Sequence, residues 1–309
     1  LKRARIIYNR TAGKECIERE LPGILERLES YELETSCHAT RCEGDALEAA
    51  RQSMERGFDI VIAAGGDGTI HEVVNGLALG DKRPRLGILP CGTSNDFARS
   101  LKLPKDLIQA CDVIGQGQFR PMDVGRLGER FFINVAAAGW LTEVSYEAPS
   151  RLKAAIGPLA YYAKGLEKIG SLLRPFTVQL ETSEGRFSEE IMLFMVANSS
   201  SIGGFEKLAP QADISDGKMD VLVVKKGNLA DLIQLLGLVR KGEHIHDDRI
   251  LYFQTDRLQV ISEKPMQLNL DGEWGGELSG KIEILGGYLD VCSPMRIKQR
   301  VNLRSKASG

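Results

Sequence analysis

The sequence predicts two domains, a doubly wound α/β domain followed by an antiparallel β domain. Three observations predict it. Over the first third, short apolar strands alternate with amphipathic helices. From about Phe131 one strand-like segment follows another with turn residues between them, the pattern of antiparallel pairing. The length, 309 residues, also exceeds the roughly 150 of an average domain.

The first strand runs through Ile6, Ile7 and Tyr8 and ends at the polar loop Asn9-Arg10-Thr11-Ala12-Gly13. Ile17, Leu21, Ile24, Leu25 and Leu28 then recur at helical spacing, which puts one apolar stripe on a helix. Leu33 to Thr40 reads as a second strand and Gly44 to Arg56 as a second helix. Phe58 to Ala64 is a buried apolar strand, Ile70 to Leu79 a helix and Arg85 to Pro90 a strand. A parallel sheet of this kind binds its ligand at the carboxyl ends of its strands. Beyond a boundary near Leu127, strands are expected at Phe131 to Ala138, Phe176 to Glu181, Ile191 to Ala197 and Met219 to Val224. Arg257 to Ser262, Met266 to Leu270 and Lys281 to Leu285 continue the series. Helices are expected around Arg151 to Leu172 and near Leu229 to Arg240. No internal repeat is evident.

Composition excludes several classes. Forty Lys and Arg stand against 42 Asp and Glu, a net charge of −2, so no basic field calls for nucleic acid. Apolar stretches such as Ile191 to Ala197 fall far short of the ~20 residues of a membrane helix. Lys2, Arg3 and Arg5 run straight into a strand-like segment with no charged-then-apolar leader, and the cytoplasmic location expected here comes from the cysteines, which read as thiols of a reducing cytosol. Cys16, Cys37, Cys42, Cys91, Cys111 and Cys292 form no CxxC and no zinc spacing with histidine, so they read as buried free thiols. His244 and His246, beside Asp247 and Asp248, read as a polar loop. Neither HExxH nor GxSxG occurs.

The segment richest in chemistry is Gly65-Gly66-Asp67-Gly68-Thr69, followed by Ile70-His71-Glu72-Val73-Val74-Asn75-Gly76. It leaves a buried strand and opens a helix. Three glycines in four positions let backbone amides approach an anion closely, helped by the helix N-terminus. Asp67 among those amides would repel a bare phosphate, so a divalent cation bridging the two is implied. The pattern therefore predicts a nucleotide with Mg²⁺. A Walker A loop is ruled out, because its Lys-Ser/Thr pair is missing. Pro90-Cys91-Gly92-Thr93-Ser94-Asn95-Asp96-Phe97-Ala98 repeats the strand, glycine turn and helix order. With the loop at Asn9 to Gly13, three loops should meet on one sheet edge.

These runs resemble the diacylglycerol kinase catalytic domain, whose superfamily includes sphingosine, ceramide and NAD kinases. Asn269-Leu270-Asp271-Gly272-Glu273 and Ala209-Pro210, followed by Asp213, Asp216 and Gly217, fit the same resemblance. It extends over nearly the whole chain and is most like the soluble enzymes of Gram-positive bacteria. It implies an α/β ATP-binding domain (residues 1–127 and about 290–309) joined to a β-sandwich lipid domain (128–289). The active site is then expected in the interdomain cleft, with the last strand returning to the first domain. Transferred by motif, Asn9, Thr11, Gly13 and Thr40 line the ATP site. Gly65, Gly66, Asp67, Gly68, Thr69, Glu72 and Thr93 hold the phosphates. Asp67, Asp96 and Asp123 support an acidic Asp–water–Mg²⁺ network, with Asp271 and Glu273 completing the catalytic set and Glu273 as general base. A structural Mg²⁺ sits on Asp216, with backbone carbonyls near Asp213 and Lys218. One departure stands out: relatives usually carry Asn-Pro at the first loop, whereas this chain has Asn9-Arg10, and Arg10 lacks the fixed φ of proline.

The resemblance implies transfer of phosphate from ATP to diacylglycerol, giving ADP and phosphatidic acid in phospholipid metabolism. Each role has a plainer alternative from the residues alone. Glu273 can be a turn acid in a hairpin, Asp213 to Gly217 an Asx-turn between strands, and Asp123 a strand-end charge. The segment Arg151 to Leu172, with Lys153, Lys164 and Lys168, can rest on an anionic membrane surface or pack on its own domain. The basic run Arg296 to Gly309 can be a solvated tail or a second such contact. A substrate held in a membrane predicts reversible peripheral association at its inner face, and the resemblance implies a homodimer. Other readings are a kinase of a sphingoid base, phosphatidylglycerol or undecaprenol, an NAD kinase, and a non-catalytic nucleotide or lipid sensor.

Overall fold

The computed structural model describes residues 1–13, 16–139, 175–183, 185–205 and 207–294. Their contacts divide the chain into two units, Leu1–Met122 with the chain from Gly287 onward, and Asp123–Gly286. The chain passes from one to the other inside two strands, β5 (Phe119–Leu127) and β15 (Ser279–Cys292).

The first unit is an α/β sheet. β1 (Lys2–Asn9), β2 (Leu33–Thr40), β3 (Ile60–Gly65) and β4 (Arg85–Pro90) lie in the order β2-β1-β3-β4, all parallel. The end of β15 joins β4 in parallel, with Val291 opposite Leu86. Every residue of β3 is buried, as an unbroken apolar run in a parallel sheet should be. Five helices accompany these strands: α1 (Cys16–Glu29), α2 (Asp45–Glu55), α3 (Asp67–Ala78), α4 (Asp96–Ser100) and α5 (Leu107–Gly115). α2 packs on α3, and α1 on α5. α3 begins three residues before its apolar periodicity. Its first turn, Asp67-Gly68-Thr69, needs no apolar side, because the N–H groups there have no partner within the helix.

The second unit is an antiparallel β-sandwich. Its strands are β6 (Arg130–Phe132), β7 (Val135–Gly139), β8 (Phe176–Thr182), β9 (Gly185–Ala197), β10 (Met219–Lys225), β11 (Ile250–Thr255), β12 (Arg257–Ser262), β13 (Gln267–Leu270) and β14 (Glu273–Glu277). They follow the path β14-β13-β7-β9-β8-β12-β15, and β10, which bears β11, joins β9 as well. β9 is long enough to pair with β8 through its first half and with β7 and β10 through its second. Side chains alternate along it between two cores. Phe194 and Val196 point into one, with Phe132, Val221, Val260 and Ile282. Leu193 and Met195 point into the other, with Leu222, Leu232 and Leu235. The last two come from helix α6 (Leu229–Lys241), which opens on a capping box between Asn228 and Asp231 and closes at Gly242.

Three expectations are corrected. The single strand at Phe131 to Ala138 is two, β6 and β7, broken where backbone amides turn to a distant carboxylate. The segments of β5, β11 and β14 are strands that periodicity did not reveal. The histidine loop is a short 3-10 turn, His244–His246, in which His244 is buried and its Nε2 bonds the Leu208 carbonyl at 2.9 Å. Burial pushes that imidazole's pKa down. The segments at 151–172 and 296–309 lie outside the described residues. Among the described residues no helix is long and apolar enough to cross a membrane.

All six cysteines are free. Burial pushes the thiols of Cys91, Cys111 and Cys292 up to about 12, whereas Cys42 is exposed. Since the thiolate is the nucleophile, a limiting alkylating reagent at neutral pH should label Cys42 first and these three only on unfolding. Mass-spectrometric mapping of the labelled peptides checks the order; early labelling of Cys111 or Cys292 would contradict it.

Candidate active site

Three loops at the carboxyl end of the parallel sheet approach one another closely. A Cβ on Gly92 would come within 2.5 Å of the Gly66 Cα, so the loop after β4 meets the loop after β3 backbone to backbone. Gly13, at φ +56°, holds the loop after β1 against the loop after β4: a Cβ there would lie 2.2 Å from the Cys91 carbonyl oxygen. Thr40, at the end of β2, is in register with Asn9. The expected convergence of glycine loops is therefore present, and it leaves a backbone cradle where side chains would sit.

Hydrogen bonds hold each loop. Asn9 Oδ1 accepts from the Thr11 N–H at 3.0 Å and the Thr11 hydroxyl at 2.9 Å, an Asx-turn. Arg10 is tied to Glu18 of α1 at 2.6 Å. Both side chains are solvent-exposed, so the ion pair adds little stability; the Asx-turn and the Gly13 contact do more to fix the loop. The loop after β4 is closed by Asn95, whose Oδ1 accepts from the Gly92 N–H at 2.8 Å while its Nδ2 donates to the Gly92 carbonyl at 2.7 Å. Its φ is +50°, a conformation asparagine tolerates better than most residues. Asn95 was not among the expected site residues; its only signal was a short polar residue between a turn and a helix.

Asp67 links two of the loops. Its Oδ2 accepts from the Asp96 N–H and its Oδ1 from the Phe97 N–H, both at 3.2 Å. Asp96 is buried and takes Arg99 Nη1 at 3.2 Å, while Arg99 Nη2 donates to the Ser94 carbonyl at 2.7 Å. Gly65 and Thr69 are buried, Gly66 and Gly68 half-buried, and Thr93 exposed. Glu72 is engaged elsewhere: its Oε2 accepts from the Ala46 N–H at 3.0 Å and so caps α2, whose N-cap Gly44 has no side chain for the task.

The remaining site residues belong to the second unit. Asp271, at φ +55°, gathers three backbone N–H groups. Oδ2 accepts from Ile133 at 2.8 Å, and Oδ1 from Asn134 at 2.8 Å and Val135 at 2.9 Å. This is the break between β6 and β7, and it anchors the tight β13–β14 hairpin on which Glu273 stands exposed. Asp123 is buried and braces the 213–218 loop. Its Oδ2 accepts from the Gly217 N–H at 2.6 Å, and its N–H donates to the Ile214 carbonyl at 2.7 Å. Asn198 Nδ2 completes the brace on the Asp123 and Ile133 carbonyls at 2.9 and 3.0 Å. In the loop itself Asp213 forms the Asx-turn, accepting from the Ser215 N–H and hydroxyl, and Asp216 Oδ1 accepts from the Lys218 N–H at 2.9 Å. Burial, then the charges of Asp213 and Asp123, push the Asp216 pKa up against the pull of the Lys218 N–H.

The donor chemistry at both places suits a hard cation. Asp67 and Asp96 place carboxylate oxygens at the starts of α3 and α4, and no set of three or more His, Cys, Asp or Glu converges among the described residues. An ion there would keep water and phosphate ligands, as Mg²⁺ prefers. Asp216 itself is exposed, and the repulsion it meets from half-buried Asp213 and buried Asp123 is what a cation would relieve.

An α/β unit with three glycine loops meeting at its carboxyl edge, followed by a β-sandwich, defines a class, and comparison with known proteins agrees. The diacylglycerol kinase catalytic domain family matches residues 3–127, and the YegS C-terminal NAD kinase beta sandwich-like domain matches residues 135–293. A diacylglycerol kinase of Bacillus subtilis (strain 168) is 49% identical over 295 residues, 95% of this chain and 97% of that protein. One of Staphylococcus saprophyticus is 46% identical over 297 residues, 96% and 97% of the two chains. The crystal structure of a diacylglycerol kinase from Bacillus anthracis str. Sterne superposes with a TM-score of 0.79 at 27% identity, covering 94% of this chain and 97% of that one. The chain belongs to the diacylglycerol kinase family.

Proposed function

We propose that the protein is an ATP-dependent diacylglycerol kinase that phosphorylates the primary hydroxyl of diacylglycerol to phosphatidic acid. The observation that carries this reading is the meeting of three glycine-bearing loops at the carboxyl edge of a parallel sheet, in a chain of this family. Residues 1–127 and about 290–309 form the ATP-binding part of this reading, and 128–289 the lipid-binding part. Asn9, Thr11, Gly13 and Thr40 border the nucleotide, and the amides from Gly65 to Thr69 with the Thr93 hydroxyl take its phosphates. Asp67 and Asp96 are the acids of the first unit that would support Mg²⁺, and Asp123 is the acid of the second unit to which the resemblance gives that role. Glu72 serves at one remove, by holding α2 beside α3. Asp216 holds a second, structural cation with carbonyls near Asp213 and Lys218.

A primary hydroxyl is a weak nucleophile until its proton has an acceptor. Glu273 takes that proton as the oxygen attacks the γ-phosphorus in line with the leaving ADP, and Asp271 keeps the base in place by anchoring its hairpin. Mg²⁺ held beside Asp67 and Asp96 would offset the charge that gathers on the phosphate oxygens. Most of the rate comes from position and charge rather than from covalent chemistry.

The test is a choice of acceptors. Mixed micelles containing diacylglycerol, sphingosine, phosphatidylglycerol and undecaprenol, with NAD⁺ in solution, are incubated with γ-labelled ATP and Mg²⁺. Label should enter phosphatidic acid. Label on NAD⁺ would move the protein toward the NAD kinases named in its C-terminal family, and label on another lipid would keep the site and change the substrate. ATP binding with no labelled product would leave a sensor.

A further inference from the structure

We infer that the β13–β14 hairpin is a lipid-docking element, in which Trp274 and Arg130 seat the neighbouring Glu273 at the surface of a diacylglycerol-bearing membrane. The inference rests on the proposed kinase reading, which puts the acceptor hydroxyl in a bilayer interface, but the residues are chosen by their own physics. Trp274 is 59% exposed, the most exposed large apolar side chain described in the second unit. It stands on β14, at the end of the strand path, directly after the proposed base. Tryptophan pays for such exposure in water and is favoured where one end of the ring is apolar and the other wet.

The ring is also held in place. The Arg130 guanidinium, from the exposed start of β6, lies 4.5 Å from the Trp274 ring centroid. Its Nη1 donates to the Trp274 carbonyl at 3.0 Å. Gly276, at φ +93°, lets β14 turn beside it, and a Cβ there would touch Arg130 Nη1 at an ordinary 3.6 Å. Two hairpins thus present an indole under a guanidinium, an apolar face beside a phosphate-seeking charge. The other exposed charges on the two turns and on β14, Glu129, Glu273 and Glu277, are acids, and half-buried Asp271 is a further one. One cation among three exposed acids and a fourth half-buried one does not favour a strongly anionic surface. The occupant is therefore a zwitterionic interface, with the ring among the headgroups and Arg130 on a lipid phosphate. The hydroxyl of diacylglycerol lies at that same depth, which is where a proton acceptor one residue from the ring is needed.

The chain has two tryptophans, Trp140 and Trp274, so Trp140→Phe leaves Trp274 as the sole reporter. With phosphatidylcholine vesicles containing diacylglycerol, its emission should shift to shorter wavelength and be quenched by lipids brominated near the carbonyl end of the chain. The shift should persist at high salt, because insertion is screened far less than attraction between charges. In the unaltered background, Trp274→Ala should raise the KM for diacylglycerol in mixed micelles about tenfold, as lost apolar burial predicts. Its kcat, its KM for ATP and its KM for a short-chain diacylglycerol in free solution should stay within about twofold of the parent. Unmoved emission while wild-type protein still phosphorylates diacylglycerol overturns the docking assignment and leaves the kinase reading standing, as does an unchanged micellar KM for Trp274→Ala. A shifted emission without any transfer supports docking and overturns the kinase reading. A shift that vanishes at high salt assigns membrane binding to basic residues and overturns the role of Trp274.

Discussion

Glu273→Gln should lower phosphoryl transfer to diacylglycerol by about a thousandfold, within the 10²–10⁴ range of a lost general base, and leave ATP affinity within about twofold. The amide matches the carboxyl in size and exposed position but cannot take the proton. The proposed nucleotide contacts lie on the loops after β1, β3 and β4 and at the end of β2, far in sequence from residue 273. A change confined to kcat is thus the mark of a group acting on the acceptor. Steady-state transfer with labelled ATP, beside calorimetric titration of ATP, separates the two quantities. A Gln variant that keeps half the parental rate would remove Glu273 from the chemistry and return it to the role of a turn acid.

The largest expected effect on stability comes from its neighbour. Asp271→Ala removes the acceptor for three backbone N–H groups at once, those of Ile133, Asn134 and Val135. Each buried donor left without a partner costs about 1–3 kcal/mol. The sum is several kcal/mol, a large share of the 5–15 kcal/mol that typically stabilises a domain. Alanine also fits the positive φ of this position poorly, where Asn is tolerated. Asp271→Asn should fall between the two: Oδ1 still accepts from Asn134 and Val135, but an amide nitrogen then faces the Ile133 N–H. Urea unfolding followed by circular dichroism should give the order wild type, Asn, Ala. An Ala variant within 0.5 kcal/mol of wild type, below the cost of even one such donor, would contradict the anchoring role.

How much of this was legible in sequence depended on how far each interaction reaches along the chain. β3 and α3 could be read because their pattern is local: a buried apolar run, a glycine turn, then helical spacing. The three glycine-bearing loops could be read for the same reason, since each is a contiguous run of residues leaving a strand. β5 escaped because Arg120 and Pro121 interrupt it, and β14 because its glycines imitate a turn. The break after β6 could not have been foreseen. Its amides turn to Asp271, 136 to 138 residues away, and no periodicity records so distant a partner. Glu72 illustrates the same limit. Its position in the motif suggested phosphate, but its carboxylate meets the Ala46 N–H at the start of α2. Arg10, read as loosening the first loop, is tied to Glu18 in a loop already closed by Asn9.

The central claim is a direct transfer, in which the acceptor oxygen of diacylglycerol attacks the γ-phosphorus of ATP while Glu273 takes the proton. ATP made chiral at the γ-phosphorus with oxygen isotopes, incubated with diacylglycerol and Mg²⁺, tests acceptor and mechanism together. The account predicts phosphatidic acid whose phosphorus has inverted configuration, the outcome of one in-line displacement. Retention would mean that the phosphoryl group rests on the protein before it reaches the lipid, and would contradict the account.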